Sequence, residues 1–397
     1  MRYLQIASSL EARKELERIG VDPYGVEAMV SKMETLNLYI EGIECKLANI
    51  MKQEMLSIGG DVAVARGTVG CTTEKTDAII MGSLKQIVKL ADKLSLQPFH
   101  LSEVAENIRK IIANLNRDTF TLKTPKREIP VGDRTLIMGI VNMTPDSFSD
   151  GGMFGSLKDA VEYTLNLVQE GADIIDIGGE SSRPEADPIT LKEELERVIP
   201  LIRELKRQID VPISIDTMKA EVARAAVESG AEIINDVSAM RHDQRMAEVA
   251  AHYRVPVILM HMKGIPKAMQ RGDLSYGSVM GEITRFLSER IDAAESAGID
   301  RENIIIDPGI GFGKSADDNN VIIKRLKEFK SLGRPILVGT SRKSFIGAVT
   351  GKEAADRVDG TAATVTAAIM NGANIVRVHD VGFLKGVSRM TDAIMRN

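Results

Sequence analysis

From Leu136 onward the chain repeats one texture, a short apolar run rich in Ile and Val followed by a stretch of helical periodicity ending in Gly or Asn. The apolar runs are Leu136 to Val141, Asp173 to Ile177, Pro212 to Ile215, Glu232 to Asn235, Pro256 to Met260, Asn303 to Ile306, Pro335 to Val338 and Asn374 to Val378. Between them, stretches such as SLKDAVEYTLNLVQEG, KAEVARAAVESGAE and TAATVTAAIMNGAN place Gly171, Gly230 and Gly372 where a helix end favours a left-handed residue. Eight strand and helix units in about 260 residues match a closed parallel barrel wrapped by helices, the (β/α)8 or TIM barrel. A doubly wound open sheet would have fewer strands and a glycine-rich turn after the first. Here the first run leads into Asn142-Met143-Thr144-Pro145.

Residues 1 to 117 lack this alternation, and a chain of 397 residues exceeds what one core usually organises. Residues 26 to 57 are expected to form one long helix, with Met29, Met33, Leu36, Ile40, Ile43 and Leu47 at spacings of three and four. Its methionines read as core or interface. Short strands are expected at Ala63 to Arg66 and Asp77 to Met81, and a helix at Leu101 to Leu115 capped by Ser102. The reading is a smaller α+β N-terminal accessory domain over 1–117, whose role no motif chooses, and a barrel domain over 118–397. Thr119 to Pro130 is expected to form a hairpin plugging the barrel floor.

Lys+Arg 51 against Asp+Glu 56 gives a net charge of −5, and the first 130 residues are as evenly balanced. There is no basic excess for nucleic acid or an acidic membrane. The two cysteines, Cys45 and Cys71, fit neither a disulfide framework nor a zinc pattern. With no leader-like start and no run of about 18 apolar residues, a cytoplasmic location is expected.

In a parallel barrel chemistry is built where the strands end. Those positions carry Asn142, Asp176, Asp216, Asn235 with Asp236, Met260 with His261, Asp307, Ser341 to Ser344, and Arg377 with His379. Such a concentration marks a polar ligand held from many sides. Arg377, His379 and Lys343 are donors suited to phosphate oxygens, and Asn142 is a neutral oxygen ligand of the kind a half-hydrated Mg²⁺ accepts, which suggests a diphosphate. Asp216, Asn235 and Asp307 suit the N–H-rich edge of a pterin or purine. GIGFGKS is not a nucleotide-triphosphate loop, because that pattern needs glycine where Pro308 stands. His261 reads as a structural residue orienting Met260 or satisfying a loop carbonyl, and His100, His242 and His252 read as surface residues.

The motifs GIVNMTPDSFSDGG, IDIGGESSRP, SIDT, IINDVS, LMHMKG, DPGIGFGK, GTSRKS and RVHDV, in that order, resemble dihydropteroate synthase over roughly residues 119 to 395. The resemblance implies joining 6-hydroxymethyl-7,8-dihydropterin diphosphate to 4-aminobenzoate, giving dihydropteroate and diphosphate in folate biosynthesis. It implies Asp216, Asn235, Asp307 and Lys343 as pterin residues, with Met260 on the pterin face. Asn142, Arg377 and His379 would hold the diphosphate and its Mg²⁺. Phe148, Ser182, Arg183, Pro184, Phe312 and Ser344 would surround 4-aminobenzoate, with loops around Thr144 to Gly152 and Gly179 to Glu185 closing over it. Asp150 on the first loop is a candidate for stabilising a cationic intermediate. A homodimer is implied as well. Glu185 stands where the family usually has glycine. Two other enzymes of this barrel type stay open, one using a modified aminobenzoate and one a methyltetrahydrofolate-dependent methyltransferase, as does a catalytically silent pterin-binding protein.

Overall fold

A computed structural model describes residues 1–6, 8–143, 156–181, 188–264 and 274–396. The chain divides into two compact units, Met1–Ala113 and Asn114–Asn397. The first begins with α1 (Ser9–Arg18) and α2 (Pro23–Met33), then β1 (Thr35–Glu44), α3 (Cys45–Ser57), β2 (Asp61–Val64), β3 (Lys75–Ser83), α4 (Leu84–Leu94) and α5 (Leu101–Leu115). Its strands form an antiparallel sheet in the order β1-β3-β2.

The long helix expected over 26–57 is therefore α2, β1 and α3 in succession. Along β1 the inward Leu36, Leu38 and Ile40 alternate with exposed Thr35, Asn37 and Tyr39. Leu36 and Ile40 satisfy a period of four as well as a period of two, and pairing with β3 settles the conflict in favour of the strand. Met51 and Met55 are fully buried with Val62, Ile80, Ile87 and Leu90 in this unit's core. The expected strand at Ala63 to Arg66 starts two residues earlier, at Asp61. Helix α5 begins at Leu101, so Ser102 lies in its first turn and does not cap it.

The second unit opens with the expected hairpin, β4 (Phe120–Lys123) paired antiparallel with β5 (Glu128–Val131). Strands and helices then alternate: β6 (Leu136–Asn142), α6 (Leu157–Glu170), β7 (Ile174–Gly178), α7 (Leu191–Leu205), β8 (Ile213–Asp216) and α8 (Ala220–Ser229). Next come β9 (Ile233–Asp236), α9 (Arg245–Tyr253), β10 (Val257–Met260), α10 (Val279–Ser296), β11 (Ile304–Asp307), α11 (Ala316–Lys324) and β12 (Leu337–Val338). After α12 (Ser344–Thr350) and α13 (Val358–Met370), β13 (Ile375–Val378) and α14 (Val381–Arg396) complete the unit. All eight apolar runs are strands, the seventh shortened to two residues. The parallel sheet runs from β11 through β6 to β13 and β12. A bridge between Ile306 and Ile336, with Ile306 N donating to Pro335 O at 3.0 Å, closes it into a barrel.

Strand alternation sorts the side chains. Ile137, Ile175, Ile177, Ile213, Ile215, Leu259 and Val376 point outward and pack with the helices in one large core. Leu136, Met138, Ile174, Ile233, Ile258, Ile305, Leu337 and Ile375 point inward and pack with Phe120, Leu122, Ile129 and Val131 of the hairpin. The barrel floor is thus a closed apolar layer in which Leu122 is fully buried. Leu122→Ala is expected to lower unfolding free energy by about 2–5 kcal/mol, measured by denaturant titration of the whole chain.

Candidate active site

The inward positions that are apolar at the floor become polar at the opposite end. Two residues beyond each floor residue, the same faces of β7, β9, β11 and β13 present Asp176, Asn235, Asp307 and Arg377, and β8 presents Asp216. Asn142 ends β6 half-buried, and Met260 ends β10 at 3% exposure.

These residues meet. The Arg377 guanidinium reaches across the interior, Nε to Asp176 Oδ2 at 2.6 Å and Nη2 to Asp216 Oδ2 at 2.9 Å. Asn235 Nδ2 donates to the same Asp176 oxygen at 3.1 Å. Asp176 Oδ1 is buried with no partner among the described residues. Burial pushes the Asp216 carboxyl up to about 7 despite the neighbouring guanidinium, and Asp176, Glu194 and Asp236 push in the same direction.

Lys343 and Asp307 form the other side. Burial brings the Lys343 ammonium down to about 8, opposed by Asp307 and reinforced by Arg377. Burial also raises the Asp307 carboxyl, which Lys343 partly offsets and which accepts Gly309 N at 2.7 Å. Lys343 donates to Ile310 O, and its ammonium lies 4.6 Å from the centre of the Phe312 ring. The preceding Arg342 has φ +57°, unusual for a large side chain, and is held there by Asp380, at 3.0 Å from its Nε, and by Thr361 Oγ1, which accepts its N–H. Phe312 packs with Met260, Met262, Met218 and Val237 into an apolar patch beside these charges.

The turn after β11 lies directly on the end of β10. A Cβ at Gly309 (φ +69°) would fall 1.9 Å from His261 O, so only glycine fits. The buried Lys314 stitches the two together, its Nζ 2.9 Å from His261 Nδ1, 3.3 Å from His261 O and 3.1 Å from Phe312 O. Burial, with Lys314 beside it, drives the His261 pKa down to about 2, so the ring is neutral, in keeping with its structural reading. Asp236 is structural too: its oxygens accept Ser238 N, Ser238 Oγ and Met240 N at 2.7–2.8 Å. His379 Nδ1 lies 2.9 Å from Ser341 Oγ. Ser344 is exposed at the start of α12, next to Lys343.

Phe148, Asp150, Ser182, Arg183, Pro184 and Glu185 lie outside the described residues. The structure adds residues the sequence left without a role: Asp176, to which Arg377 and Asn235 both bind, Met218 and Met262 in the apolar patch, and the buried Lys314. Asp176, Met218 and Met262 could be suspected from their places at or just after strand ends, but a partner on another strand is invisible in one chain. Among the described residues no group of three His, Cys, Asp or Glu side chains could hold a metal ion. The neutral Asn142 oxygen suits Mg²⁺ of the kind that keeps its waters and binds chiefly through a substrate's phosphates.

A barrel with an apolar floor and a mouth of buried carboxylates, one guanidinium and one lysine is the site of an enzyme that binds a polar heterocycle. Residues 138–379 match the family model for pterin binding enzymes. The chain belongs to that family. It is 50% identical to a dihydropteroate synthase of Synechocystis over 266 residues, 67% of this chain and 92% of that one. It is 42% identical over 376 residues to a probable bifunctional folylpolyglutamate synthase/dihydropteroate synthase of Halobacterium salinarum, covering 94% of this chain but only 44% of that protein. That alignment takes in most of the N-terminal unit. The Xanthomonas albilineans dihydropteroate synthase with 4-aminobenzoic acid matches with a TM-score of 0.65 and 46% identity, over 70% of this chain and 99% of that one.

Asp216 holds its proton up to about 7 in the folded chain, against 3.8 for an ordinary aspartate. Between those values the folded state binds the extra proton, so this carboxyl makes stability fall as pH rises through the window. Asp216→Asn is expected to flatten that fall, read from urea unfolding of parent and variant at a series of pH values from 4 to about 8.

Proposed function

We propose that the chain condenses 6-hydroxymethyl-7,8-dihydropterin diphosphate with 4-aminobenzoate to give dihydropteroate and diphosphate, the dihydropteroate-forming step of folate biosynthesis. The observation that carries this reading is the convergence of Asp216, Asn235, Asp307, Lys343 and Arg377 at one barrel mouth, in a chain 50% identical over 266 residues to a dihydropteroate synthase. Asp216, Asn235 and Asp307 supply the acceptors that an aminopyrimidinone edge requires, and Lys343 a donor for its ring nitrogen or carbonyl oxygen. Met260 and Phe312 give the flat heterocycle an apolar wall. With Asp216 near 7 and Lys343 near 8, both groups can adjust their protonation to the bound ring.

Arg377 and His379 take the diphosphate. As the bond from the methylene carbon to the diphosphate oxygen breaks, the electron pair leaves with the diphosphate, and the electron-rich ring stabilises the carbon left behind. The Arg377 guanidinium meets that departing charge. Mg²⁺, with Asn142 as its protein ligand, supplies neutralisation of the same oxygens when bound. The amine of 4-aminobenzoate then forms the C–N bond and gives up a proton, a step that needs chiefly positioning. Phe148, Ser182, Arg183, Pro184, Phe312 and Ser344 are the residues assigned to that substrate, and Asp150 is assigned to the cation. A cytoplasmic homodimer belongs to the same reading. Among the described residues no helix is long and apolar enough to cross a membrane, and α14 exposes Phe383, Met390 and Ile394 along one face, as a subunit contact would need.

Purified protein given both substrates and Mg²⁺ is expected to release diphosphate and form dihydropteroate, identified by mass spectrometry. Lys343→Ala is expected to lose about 100-fold or more in kcat/KM. Diphosphate release without dihydropteroate would mean a different amine, and neither product would remove the reading.

A further inference from the structure

The turn after β11 is pressed between two neighbours, and one of them is Lys343. Gly309 and Gly313 rest on the chain leaving β10: the first meets His261 O, and a Cβ at the second would fall 2.4 Å from Lys263 O. Gly311 rests on the Lys343 stem, where a Cβ would fall 3.0 Å from Lys343 Cδ. Beyond that contact the Lys343 ammonium donates to Ile310 O and stands 4.6 Å from the centre of the Phe312 ring. Asp307 is tied to the same turn, since its Oδ1 accepts Gly309 N at 2.7 Å.

Lys314 is the clamp on this turn. Buried at 2% exposure, its Nζ bonds at once to the chain leaving β10, through His261 Nδ1 and His261 O, and to the turn itself, through Phe312 O. Two further ties reach the turn from other elements: Tyr276 Oη donates to Gly313 O at 2.8 Å, and Gly311 N donates to Asn319 Oδ1 at 2.7 Å. Removing the Lys314 nitrogen takes a donor from buried acceptors, a cost that movement of the turn toward other donors would relieve. Any such movement carries Ile310 O and the Phe312 ring with it, and these are the two groups against which the Lys343 ammonium is set. Among the described residues the hydrogen bonds of Lys314 go to His261 and the Phe312 carbonyl, and none to Asp216, Asn235, Asp307 or Lys343.

We propose that Lys314 is a positioning residue for the pterin: by fastening the turn after β11 to the chain leaving β10, it sets where the Lys343 ammonium stands. The inference rests on the functional reading above. It makes the two lysines partners in one effect, because what Lys314 contributes to binding passes through Lys343.

The test is a double-mutant cycle on full chains: parent, Lys314→Met, Lys343→Met and the double variant, each checked for folding by thermal melting and then titrated calorimetrically with pterin diphosphate. Lys314→Met is expected to weaken binding about tenfold in the parent, but by less than about threefold once Lys343 is already methionine. Lys314→Gln, which keeps a neutral donor for the same neutral acceptors, is expected to recover part of the loss. A lysine that serves only the fold would lower the melting temperature and leave affinity unchanged, and that result would overturn the proposal. Losses that multiply in the double variant would overturn it as well, since Lys314 would then act elsewhere than through Lys343. If Lys314→Met does not fold, the cycle is run with Lys314→Gln on the same criterion. A parent that does not bind pterin diphosphate would sink the functional reading and this inference with it, whereas a parent that binds it with multiplying losses sinks the inference alone.

Discussion

Arg377 reaches from β13 past β6 to the carboxylates of Asp176 on β7 and Asp216 on β8, at 2.6 and 2.9 Å, and this bridge sets the arrangement of the whole barrel mouth. None of the three charges would be tolerated alone at that depth, since stripping one partner from a buried pair costs about 3–5 kcal/mol. Together they fix three strand ends in register and hold Asn235 through the oxygen it shares with Arg377. The bridge is nevertheless left incomplete. One Asp176 oxygen is buried without a partner among the described residues, and Asp216 is held near 7. A site optimised for stability alone would have satisfied both, and the deficit is of the kind a ligand with its own donors removes.

Two buried lysines around the same turn show how neighbours decide what a side chain is for. Lys343 faces Asp307 and stays within reach of either protonation state, near 8. The hydrogen bonds of the Lys314 ammonium go to neutral acceptors, the His261 ring and two carbonyls, and burial takes its pKa well below the ordinary lysine value although Asp307 opposes the shift. The first is placed to answer a ligand's charge. The second ties the turn after β11 to the end of β10, which keeps Phe312 against Met260.

The barrel was legible in the sequence because each of its strands is a short apolar run and each helix an amphipathic stretch, so period alone separates them. The floor hairpin could be read for the same reason. Period failed at Thr35–Glu44, where Leu36 and Ile40 fit helix and strand equally and the deciding partner, β3, lies about 40 residues away. Within the site, the strand-end residues could be identified from position and chemistry, since inward residues two apart pass from Ile to Asp, Asn or Arg. Asp176 escaped a role because nothing in IDIG says that an arginine some 200 residues later will bind it.

The hairpin at the floor has a consequence for traffic. Phe120, Leu122, Ile129 and Val131 seal the end opposite the polar mouth, so the interior is a cul-de-sac with one door. Whatever binds against the inner faces of β8, β9 and β11 has to come in past the positions nearer the rim. The direction of approach to such a site is written into which end of the barrel is stoppered, before any loop moves or any bond breaks.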